Sequence, residues 1–587
     1  MSMEAIEAKI LLKNLLKRIR QVDKDSYELS GSLTDDEMRA LQVALASLDG
    51  ATLPAANHEP ALTQPEMPVK PLEPTPELAP QSDLSQAKPV IDITHPEEIS
   101  TATPSIELDT STLDLPDPPA DRRLCLDFGT AMSKVTLVKD ATEARGYEDI
   151  EVLELGVPGD QEEVSENMLV SSVFIDGGGL LWFGQMAVQR SALEAQDGVR
   201  QRLDNIKRYL SEEGLTNKVL AKFNPTDNDI TYGDMVLAYL MFLTWTVNQC
   251  LEESGEPRNL LRRFAMPCFE GSKARDSAQI LRSMLGEAQI LADTFDRSFQ
   301  EGIPLSSFLQ AVTKLREEKR SFGFVMEDIT EPLGVAGSIM SWENRVDSLI
   351  MIVDVGAGTS DFSLYRMHFD ENTGKSTALE VESSVEGITE AGNHLDGLLR
   401  GLILKKAGVD SNHAHWVNIL GNLELDLRDY KERLFRDEEV VVRLFNDQLV
   451  TIQLDEFLSL EQVVKFGDSL KACRDRILSR VHPSFVKGAP HGALGLALTG
   501  GGAALPMVKA LAEGTVQAHG KELKLVQTQA FPQWLKEEYP DLEADYPRIA
   551  VSLGGARKRV IERGGVACVT AGDVSGTPTL EGYYTKG

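Results

Sequence analysis

The feature that most constrains this chain is an apolar strand that ends in an aspartate and a glycine turn, and that occurs twice. The first copy contains Asp127-Phe-Gly-Thr and the second Asp354-Val-Gly-Ala-Gly-Thr, each between two apolar runs. The glycines permit a tight turn whose backbone N–H groups can hold phosphate oxygens, and an aspartate can hold the water shell of a metal ion. The first copy taken alone is also typical of an ordinary β-hairpin. The recurrence predicts two related halves.

The second copy is the more specific of the two. Two carboxylates, Asp354 and Asp361, flank two glycines and a threonine at the end of an apolar strand. A third glycine turn follows the apolar run at 494–498, and a helix is predicted to begin near Pro506. Glycines between a strand and a helix let a ligand lie against bare backbone. Without the other two turns, this third one would be interpreted as a packing turn.

Runs of β spacing alternate with runs of helical spacing from about residue 121 onward. This alternation predicts an α/β fold whose sheets are covered by helices. The predicted strands are 124–126, 135–138, 349–353 and 494–498, and the predicted helices are 232–251, 272–285 and 393–404.

The first 50 residues follow a helical pattern. Apolar residues from Ile6 to Val22 recur at helical spacing, and Thr34-Asp-Asp-Glu37 has the sequence of a capping box. The pattern predicts a helical hairpin over residues 1–50. Two short helices have little core of their own, so we expect their apolar stripes to contact each other, the main body or a partner protein. The first stripe consists of Leu12, Leu15, Leu16 and Ile19.

Residues 51–120 have a different composition. They contain 14 of the 27 prolines and no Phe, Tyr or Trp, and twelve acidic residues against two lysines give them a net charge of −10. Such a segment cannot bury enough apolar surface to offset its ordering entropy. The sequence therefore predicts a disordered, acidic linker over residues 51–120.

The charge and the cysteines exclude several classes of protein. A formal charge of −32 argues against a general nucleic-acid binder and against docking on anionic lipid. The five cysteines lie far apart with no C-x-x-C pair, so we expect no disulfide framework or zinc ribbon, and a reducing cytoplasm fits best. No signal peptide is predicted. The longest apolar stretch, 235–247, is shorter than the roughly 20 residues of a membrane-spanning helix.

The order of the three turns resembles that of the actin, Hsp70 and sugar-kinase superfamily, and most closely the nucleotide-binding domain of Hsp70-type chaperones. Further segments resemble those of the family and occur in the family's order over about residues 122–560. These segments begin with Val170-Ser-Ser-Val, Asp204-Asn-Ile-Lys-Arg, Ala265-Met-Pro-Cys-Phe, Glu331-Pro-Leu-Gly and Gly387-Ile-Thr-Glu.

The resemblance implies a two-lobed actin-like ATPase fold of duplicated ribonuclease H-like domains over about residues 121–570. Lobe I would cover about 121–345 and lobe II about 346–545, with a return to lobe I at about 546–565 and a tail at 571–587. A nucleotide would bind between the lobes.

The resemblance also implies roles for individual residues. Asp127 and Asp354 would hold the waters of Mg²⁺, Lys207 would stabilise charge on the transferring phosphoryl group, and Glu331 would position the attacking water. Thr130 and Thr359 would contact the phosphates of ATP or ADP. The other implied nucleotide contacts are Gly129, Ala131, Gly356, Ala357, Gly358, Asp361, Gly392, Asn393, Lys431, Gly500, Gly501 and Gly502.

Some positions depart from the family. Ala503 and Ala504 stand where it has a hydroxyl residue and an arginine that packs on adenine, and Arg428 stands where it has a glutamate. These changes put base specificity in doubt. Only 31 residues follow Ala556, so we expect no peptide-binding domain.

Three functions stay open at this point. The first is an Hsp70-like ATPase that acts as a nucleotide-controlled switch on an unidentified protein partner through residues 1–50. The second is an actin-like protein that forms filaments, and the third is a scaffold that binds nucleotide without hydrolysing it. A sugar kinase is disfavoured, because no sugar-binding loop is recognisable.

Overall fold

The structure is a computed structural model. It describes residues 19–23, 26–29, 106–143, 146–156, 166–195, 198–211, 214–268, 271–318, 320–340, 347–370, 375–559 and 561. The chain divides into two units, residues 1–99 and residues 100–587.

The described part of the first unit is a β-hairpin. Strands β1 (Ile19–Asp23) and β2 (Ser26–Leu29) pair in antiparallel fashion, with Asp23 opposite Ser26. The predicted first helix is therefore wrong where it includes Ile19 and Val22. β-Branched side chains favour extended backbone, and Asp and Ser are common turn residues, which explains the hairpin. The rest of the predicted helical hairpin, including the capping box at Thr34, lies outside the described residues.

The second unit is a mixed α/β body. Its strands are β3 (Arg122–Asp127), β4 (Met132–Lys139), β5 (Asp149–Val152), β6 (Leu169–Val170), β7 (Ser172–Ile175), β8 (Leu180–Phe183), β9 (Leu203–Asp204), β10 (Arg262–Met266), β11 (Ile303–Pro304), β12 (Val325–Thr330), β13 (Ser348–Val355), β14 (Ser360–Asp370), β15 (Lys375–Glu380), β16 (Glu386–Ile388), β17 (Glu439–Arg443), β18 (Leu449–Gln453), β19 (Ala493–Thr499), β20 (Thr515–Ala518) and β21 (Lys521–Gln527).

Helices cover these strands. They are α1 (Gly184–Glu194), α2 (Arg208–Ser211), α3 (Tyr232–Glu253), α4 (Gly271–Thr294), α5 (Leu305–Glu317), α6 (Glu331–Ile339), α7 (Gly392–Ala407), α8 (Trp416–Asp437), α9 (Leu454–Leu458), α10 (Glu461–Arg480), α11 (Pro483–Lys487), α12 (Pro506–Lys509), α13 (Gln533–Glu538) and α14 (Tyr546–Ala556). Short 3₁₀ turns occupy Ser111–Asp114, Pro490–Gly492, Ala510–Ala512 and Pro540–Leu542. The predicted α/β class is confirmed. Each predicted strand and helix of this unit overlaps an observed element of the same type.

Two sheets of the body share one strand arrangement. The first runs β12-β10-β3-β4-β5 and the second runs β21-β19-β13-β14-β15, with β20 beyond β21. In each sheet the first three strands in chain order are antiparallel neighbours. Two later strands then add in parallel on the other side of the first. The sheets therefore have the same order and the same strand directions.

Helices α6 and α14 lie where the two sheets meet. Helix α6 packs against β12 and β10 of the first sheet and β13 and β14 of the second, and α14 packs against β3, β4, β10 and β19. The helices contact each other through glycines, since an added Cβ on Gly554 would lie 1.8 Å from the carbonyl oxygen of Gly334. A buried apolar cluster that includes Cys125, Ile352 and Leu553 surrounds this crossing. Larger clusters lie on the two outer sides.

The end of the predicted linker is ordered. Ile106, Leu108 and Leu113 pack on the apolar core beside α4 and α5. The Thr112 hydroxyl donates to the buried carboxylate of Asp293 at 2.6 Å. The prediction of disorder to residue 120 is therefore wrong from residue 106 onward, because apolar residues near the end of the segment reach a core that distant residues form. Residues 51–105 lie outside the described residues.

Within the described part of the chain, no helix combines the length and the apolar character needed to cross a membrane.

Candidate functional site

The first glycine turn joins β3 to β4. Asp127 is the last residue of β3 and lies directly opposite Lys134 in the antiparallel pair. The Lys134 ammonium is 3.3 Å from Asp127 Oδ2, and both side chains are largely buried. Gly129 makes the turn tight, since an added Cβ there would lie 1.9 Å from the carbonyl oxygen of Met132. The local sequence thus places one carboxylate and one ammonium beside a bare backbone turn.

The second turn joins β13 to β14 in the same way. Asp354 lies opposite Asp361 across the strand pair, and the Gly356 N–H donates to the carbonyl oxygen of Thr359 at 2.9 Å. Asp361 Oδ1 accepts a hydrogen bond of 2.8 Å from the backbone N–H of Cys268, which follows β10 of the first sheet. This turn therefore brings two carboxylates together at the junction of the two sheets.

The three glycine turns meet. An added Cβ on Gly358 would lie 2.8 Å from the hydroxyl oxygen of Thr130, so the first and second turns face each other at short range. Gly500 has a φ of +81°, and an added Cβ there would lie 2.3 Å from Asp354 Oδ1. The Gly502 N–H donates to the carbonyl oxygen of Val355 at 2.8 Å. The third turn is therefore packed directly on the second.

A buried ion pair lies in the same cluster. Lys207 follows β9, and Glu331 is the first residue of α6; the Lys207 ammonium is 2.5 Å from Glu331 Oε1. Lys207 is 2% exposed and Glu331 is 9% exposed, so both are removed from bulk water. The charges of Asp127 and Asp361 act on both members of this pair.

The buried charges shift one another's pKa. Burial raises the pKa of Glu331 to about 7, and the charges of Asp361 and Asp127 add to this while Lys207 opposes it. Burial also raises the pKa of Asp354 and of Asp361 above the ordinary value. For Lys207, burial favours the neutral form, but the nearby carboxylates outweigh it and raise the pKa. Burial is thus the main cause of the three carboxyl shifts, and repulsion between carboxylates adds to it at Glu331 and Asp354.

This arrangement is suited to binding a cation. Four carboxylates and two ammonium groups leave two negative charges when all are ionised, which is the charge that one divalent ion carries. Asp361 Oδ2 is buried without a hydrogen-bond partner among the described residues. Carboxylate oxygens and water are the ligands that Mg²⁺ prefers. Among the described residues no three acidic, histidine or cysteine side chains converge as direct metal ligands, so an ion here would be held largely through water.

Three of the predicted nucleotide contacts support the second turn. The N–H groups of Gly392 and Asn393, at the start of α7, donate to the carbonyl oxygens of Gly356 and Ala357 at 3.1 and 2.7 Å. The Lys431 ammonium donates to the carbonyl oxygen of Gly392 at 3.2 Å. The Lys431 ammonium also lies 2.9 Å from a carboxylate oxygen of Asp396, which is on α7 like Gly392. These residues hold the turn in place, and α8 is tied to it through Lys431.

Ala131 and the Gly500–Gly502 turn belong to the cluster, and Arg428 is paired along its own helix. The Ala131 carbonyl accepts from the Ser171 N–H at 2.9 Å, and the Ala503 N–H donates to the Gly500 carbonyl at 3.1 Å. Gly501 has open space where a Cβ would stand. Arg428 forms an ion pair of 3.0 Å with Glu432 one turn along α8.

Sequence reasoning missed Lys134, the Cys268 N–H and the Ser171 hydroxyl, which donates to the Gly129 carbonyl at 2.8 Å. Lys134 lies seven residues after Asp127 in the sequence, and only the hairpin register of the structure shows that it stands opposite that carboxylate. The Cys268 contact had no signal in the sequence, since it joins residues 93 positions apart.

No protein-family model matches the chain. A comparison with curated proteins also returns no match. Any assignment of function therefore rests on the site residues and their arrangement.

Proposed function

We propose that this protein binds ATP together with Mg²⁺ and hydrolyses the nucleotide slowly, as a two-lobed actin-like ATPase similar to the Hsp70 nucleotide-binding domain. The observation that carries the proposal is the convergence of three glycine turns on four buried carboxylates and two lysines. Bare backbone turns bind phosphates, and carboxylates bind the water shell of a divalent ion. The shared strand order of the two sheets supports a duplicated, two-lobed fold.

Each turn has a part in binding. The hydroxyls and backbone N–H groups of Thr130 and Thr359, in the facing first and second turns, would hold the phosphate oxygens. The side chains of Asp127 and Asp354 would hold the waters of Mg²⁺. When bound, this ion neutralises charge on the β- and γ-phosphates. The Gly500–Gly502 turn would let the nucleoside part approach bare backbone.

The Lys207–Glu331 pair supplies the groups that hydrolysis needs. A carboxyl whose pKa is about 7 can accept a proton at neutral pH, so Glu331 is suited to orient and deprotonate a water molecule. Lys207 keeps its charge in a buried site, where an ammonium stabilises charge on a transferring phosphoryl group more strongly than in water. Because Lys207 also neutralises Glu331, the two residues act as one unit.

The nucleotide state would control the protein's shape. The second turn belongs to one sheet and the first to the other, so a ligand that contacts both turns stabilises one relative position of the sheets over others. We propose that this change acts on a protein partner held by residues 1–50. Deletion of residues 1–50 from the full chain should then abolish a nucleotide-dependent partner interaction while ATP turnover stays within a few-fold.

The experiment that tests the proposal measures phosphate release and ATP binding in parallel. Lys207→Ala and Glu331→Ala should each lower turnover by about 10²-fold or more while binding stays within a few-fold of wild type. Lys218→Ala is the matched control, because Lys218 forms an exposed ion pair with Asp229 and should change neither quantity. Wild-type binding with turnover equal to that of Lys207→Ala would instead favour a non-hydrolysing scaffold. Failure of wild type to bind ATP with Mg²⁺ would overturn the proposal.

A further inference from the structure

Residues 528–545, which we call the strap, run between the two sheets. The strap leaves the second sheet after β21, contains α13 and leads into α14. The Tyr539 hydroxyl accepts a hydrogen bond of 3.0 Å from the Ile150 N–H of β5, the edge strand of the first sheet. The same hydroxyl donates to the Glu148 carbonyl oxygen at 2.7 Å. The strap is therefore hooked to the outer edge of the first sheet through one hydroxyl group.

The strap is fastened a second time beside the junction of the sheets. The Trp534 indole N–H donates to the carbonyl oxygen of Ser338, near the end of α6, at 3.1 Å. The Arg557 guanidinium lies 4.4 Å from the centre of the Trp534 ring and pairs with the Glu148 carboxylate at 2.7 Å. Arg557 also donates to the Gly337 carbonyl oxygen of α6 at 2.9 Å. One arginine thus connects the strap, α6 and the segment before β5.

The strap leads directly to the third glycine turn. The Pro547 carbonyl, in the first turn of α14, accepts hydrogen bonds from the Gly500 N–H at 2.9 Å and from the Thr499 hydroxyl at 2.8 Å. The Asn167 amide donates to the Asp545 carboxylate at 3.1 Å, just before β6 of the first sheet. The chain that holds the third turn is therefore the same chain that hooks the edge of the first sheet.

A separation of the first two turns would displace the hook. These turns lie on different sheets, and the sheets meet where α6 and α14 cross at backbone contact. Strand β5 is two strands from β3, which is about 10 Å at the usual spacing of strands. A rotation about the crossing would therefore move β5 relative to the strap and break both hydrogen bonds of Tyr539. Their loss costs free energy, because partly buried polar groups are left without partners.

We propose that the strap sets the rate at which nucleotide leaves the site, with Tyr539 as a positioning residue that holds the sheets in the arrangement that retains the nucleotide. This inference rests on the proposed nucleotide binding and adds to it a control on release. The hydrogen bonds of Tyr539 are made with the edge of the first sheet, outside the glycine turns. Loss of the hook should then speed dissociation and leave the hydrolytic step unchanged.

The test measures how fast a ribose-labelled fluorescent ATP with Mg²⁺ dissociates from the full chain, by stopped flow with excess ATP as the chase. Tyr539→Phe removes the hydroxyl and keeps the ring, which contacts the Tyr147 ring edge-on at 6.3 Å. We expect this variant to raise the dissociation rate by about fivefold or more, because two hydrogen bonds are lost. The association rate and the phosphate release in a single turnover should change by less than about twofold.

Gln533→Ala is the matched control, because Gln533 lies on the same strap and donates to Glu537 on its exposed side. It should leave the dissociation rate unchanged. Trp534→Phe removes the N–H that reaches α6 and should also speed dissociation, and thermal melting should show that each variant is folded.

The inference is overturned if folded Tyr539→Phe releases the labelled ATP at the wild-type rate, whatever its melting temperature. It is also overturned if Tyr539→Phe slows phosphate release in a single turnover by as large a factor as it speeds dissociation. Absence of wild-type binding in Mg²⁺ would instead overturn the proposed function, and with it this inference.

Discussion

The contact between α6 and α14 provides a sharp prediction about the junction of the two sheets. In Gly554→Ala the new methyl group would lie 1.8 Å from the carbonyl oxygen of Gly334 and 2.4 Å from the backbone nitrogen of Ser338. Both are backbone atoms within α6, so no side chain can rotate away. The helices must separate by about 1.5 Å or more before the methyl reaches an ordinary van der Waals distance.

We expect this separation to cost about 1–3 kcal/mol in unfolding free energy, since overpacking a dense core has costs of that size. It should also weaken ATP binding, because α14 holds the third turn: the Pro547 carbonyl accepts from the Gly500 N–H and from the Thr499 hydroxyl. A displacement that costs 1.4 kcal/mol of binding free energy lowers affinity by about tenfold.

Urea denaturation followed by circular dichroism measures the first effect, and ATP titration measures the second. The control is Gly397→Ala, inside α7, where an added Cβ meets nothing within 4 Å. That change should stabilise the protein by up to about 1 kcal/mol, because alanine is the better helix former. If Gly554→Ala unfolds at the same urea concentration as wild type, the two helices do not cross at backbone contact distance.

Three further predictions follow from the buried charges, the docked segment and the net charge. Burial raises the pKa of Glu331 from 4.5 to about 7, so the folded protein binds more protons than the unfolded chain between these values and loses stability as the pH rises through them. Glutamine does not titrate, so the unfolding free energy of ligand-free Glu331→Gln should rise relative to that of wild type between about pH 5 and about pH 8 in urea titrations. A difference between the two unfolding free energies that does not change with pH would contradict the raised pKa of Glu331. A chain that lacks residues 1–105 should melt at the temperature of the full chain and keep its turnover within a few-fold. A chain that lacks residues 1–118 should melt lower, because the Thr112–Asp293 hydrogen bond and the packing of Leu113 are lost; equal melting would show that the segment contributes nothing. Because a charge of −32 opposes self-association at low salt, sedimentation with ATP at micromolar protein should give no filaments, and ordered filaments would favour the actin-like alternative.

The parts of the fold and site that local sequence decides were predictable. Asp127 and Asp354 each end an apolar strand and precede a glycine turn, so strand, turn and carboxylate are all specified within a few residues. Helix α3 was predictable for the same reason, since apart from two threonines residues 235–247 are all apolar.

The parts that depend on distant residues were not predictable. The Ile106–Leu113 segment has the composition of a disordered linker, and its order depends on Asp293 and the apolar core beside it. The error at Ile19 and Val22 is different in kind, because a short apolar run fits helical and extended spacing alike, and pairing with β2 decides between them. Lys134 was missed because its importance depends on hairpin register, which the motif alone does not state.

The central claim is that the three glycine turns and the buried carboxylates form one nucleotide site. The measurement that tests it most directly is a crystal structure with Mg²⁺ and a non-hydrolysable ATP analogue. The account predicts the phosphates between the first turn at Gly129–Thr130 and the second at Gly356–Thr359, with the ion held through water by Asp127 and Asp354. An analogue bound elsewhere, or absent from the turns at saturating concentration, would contradict it.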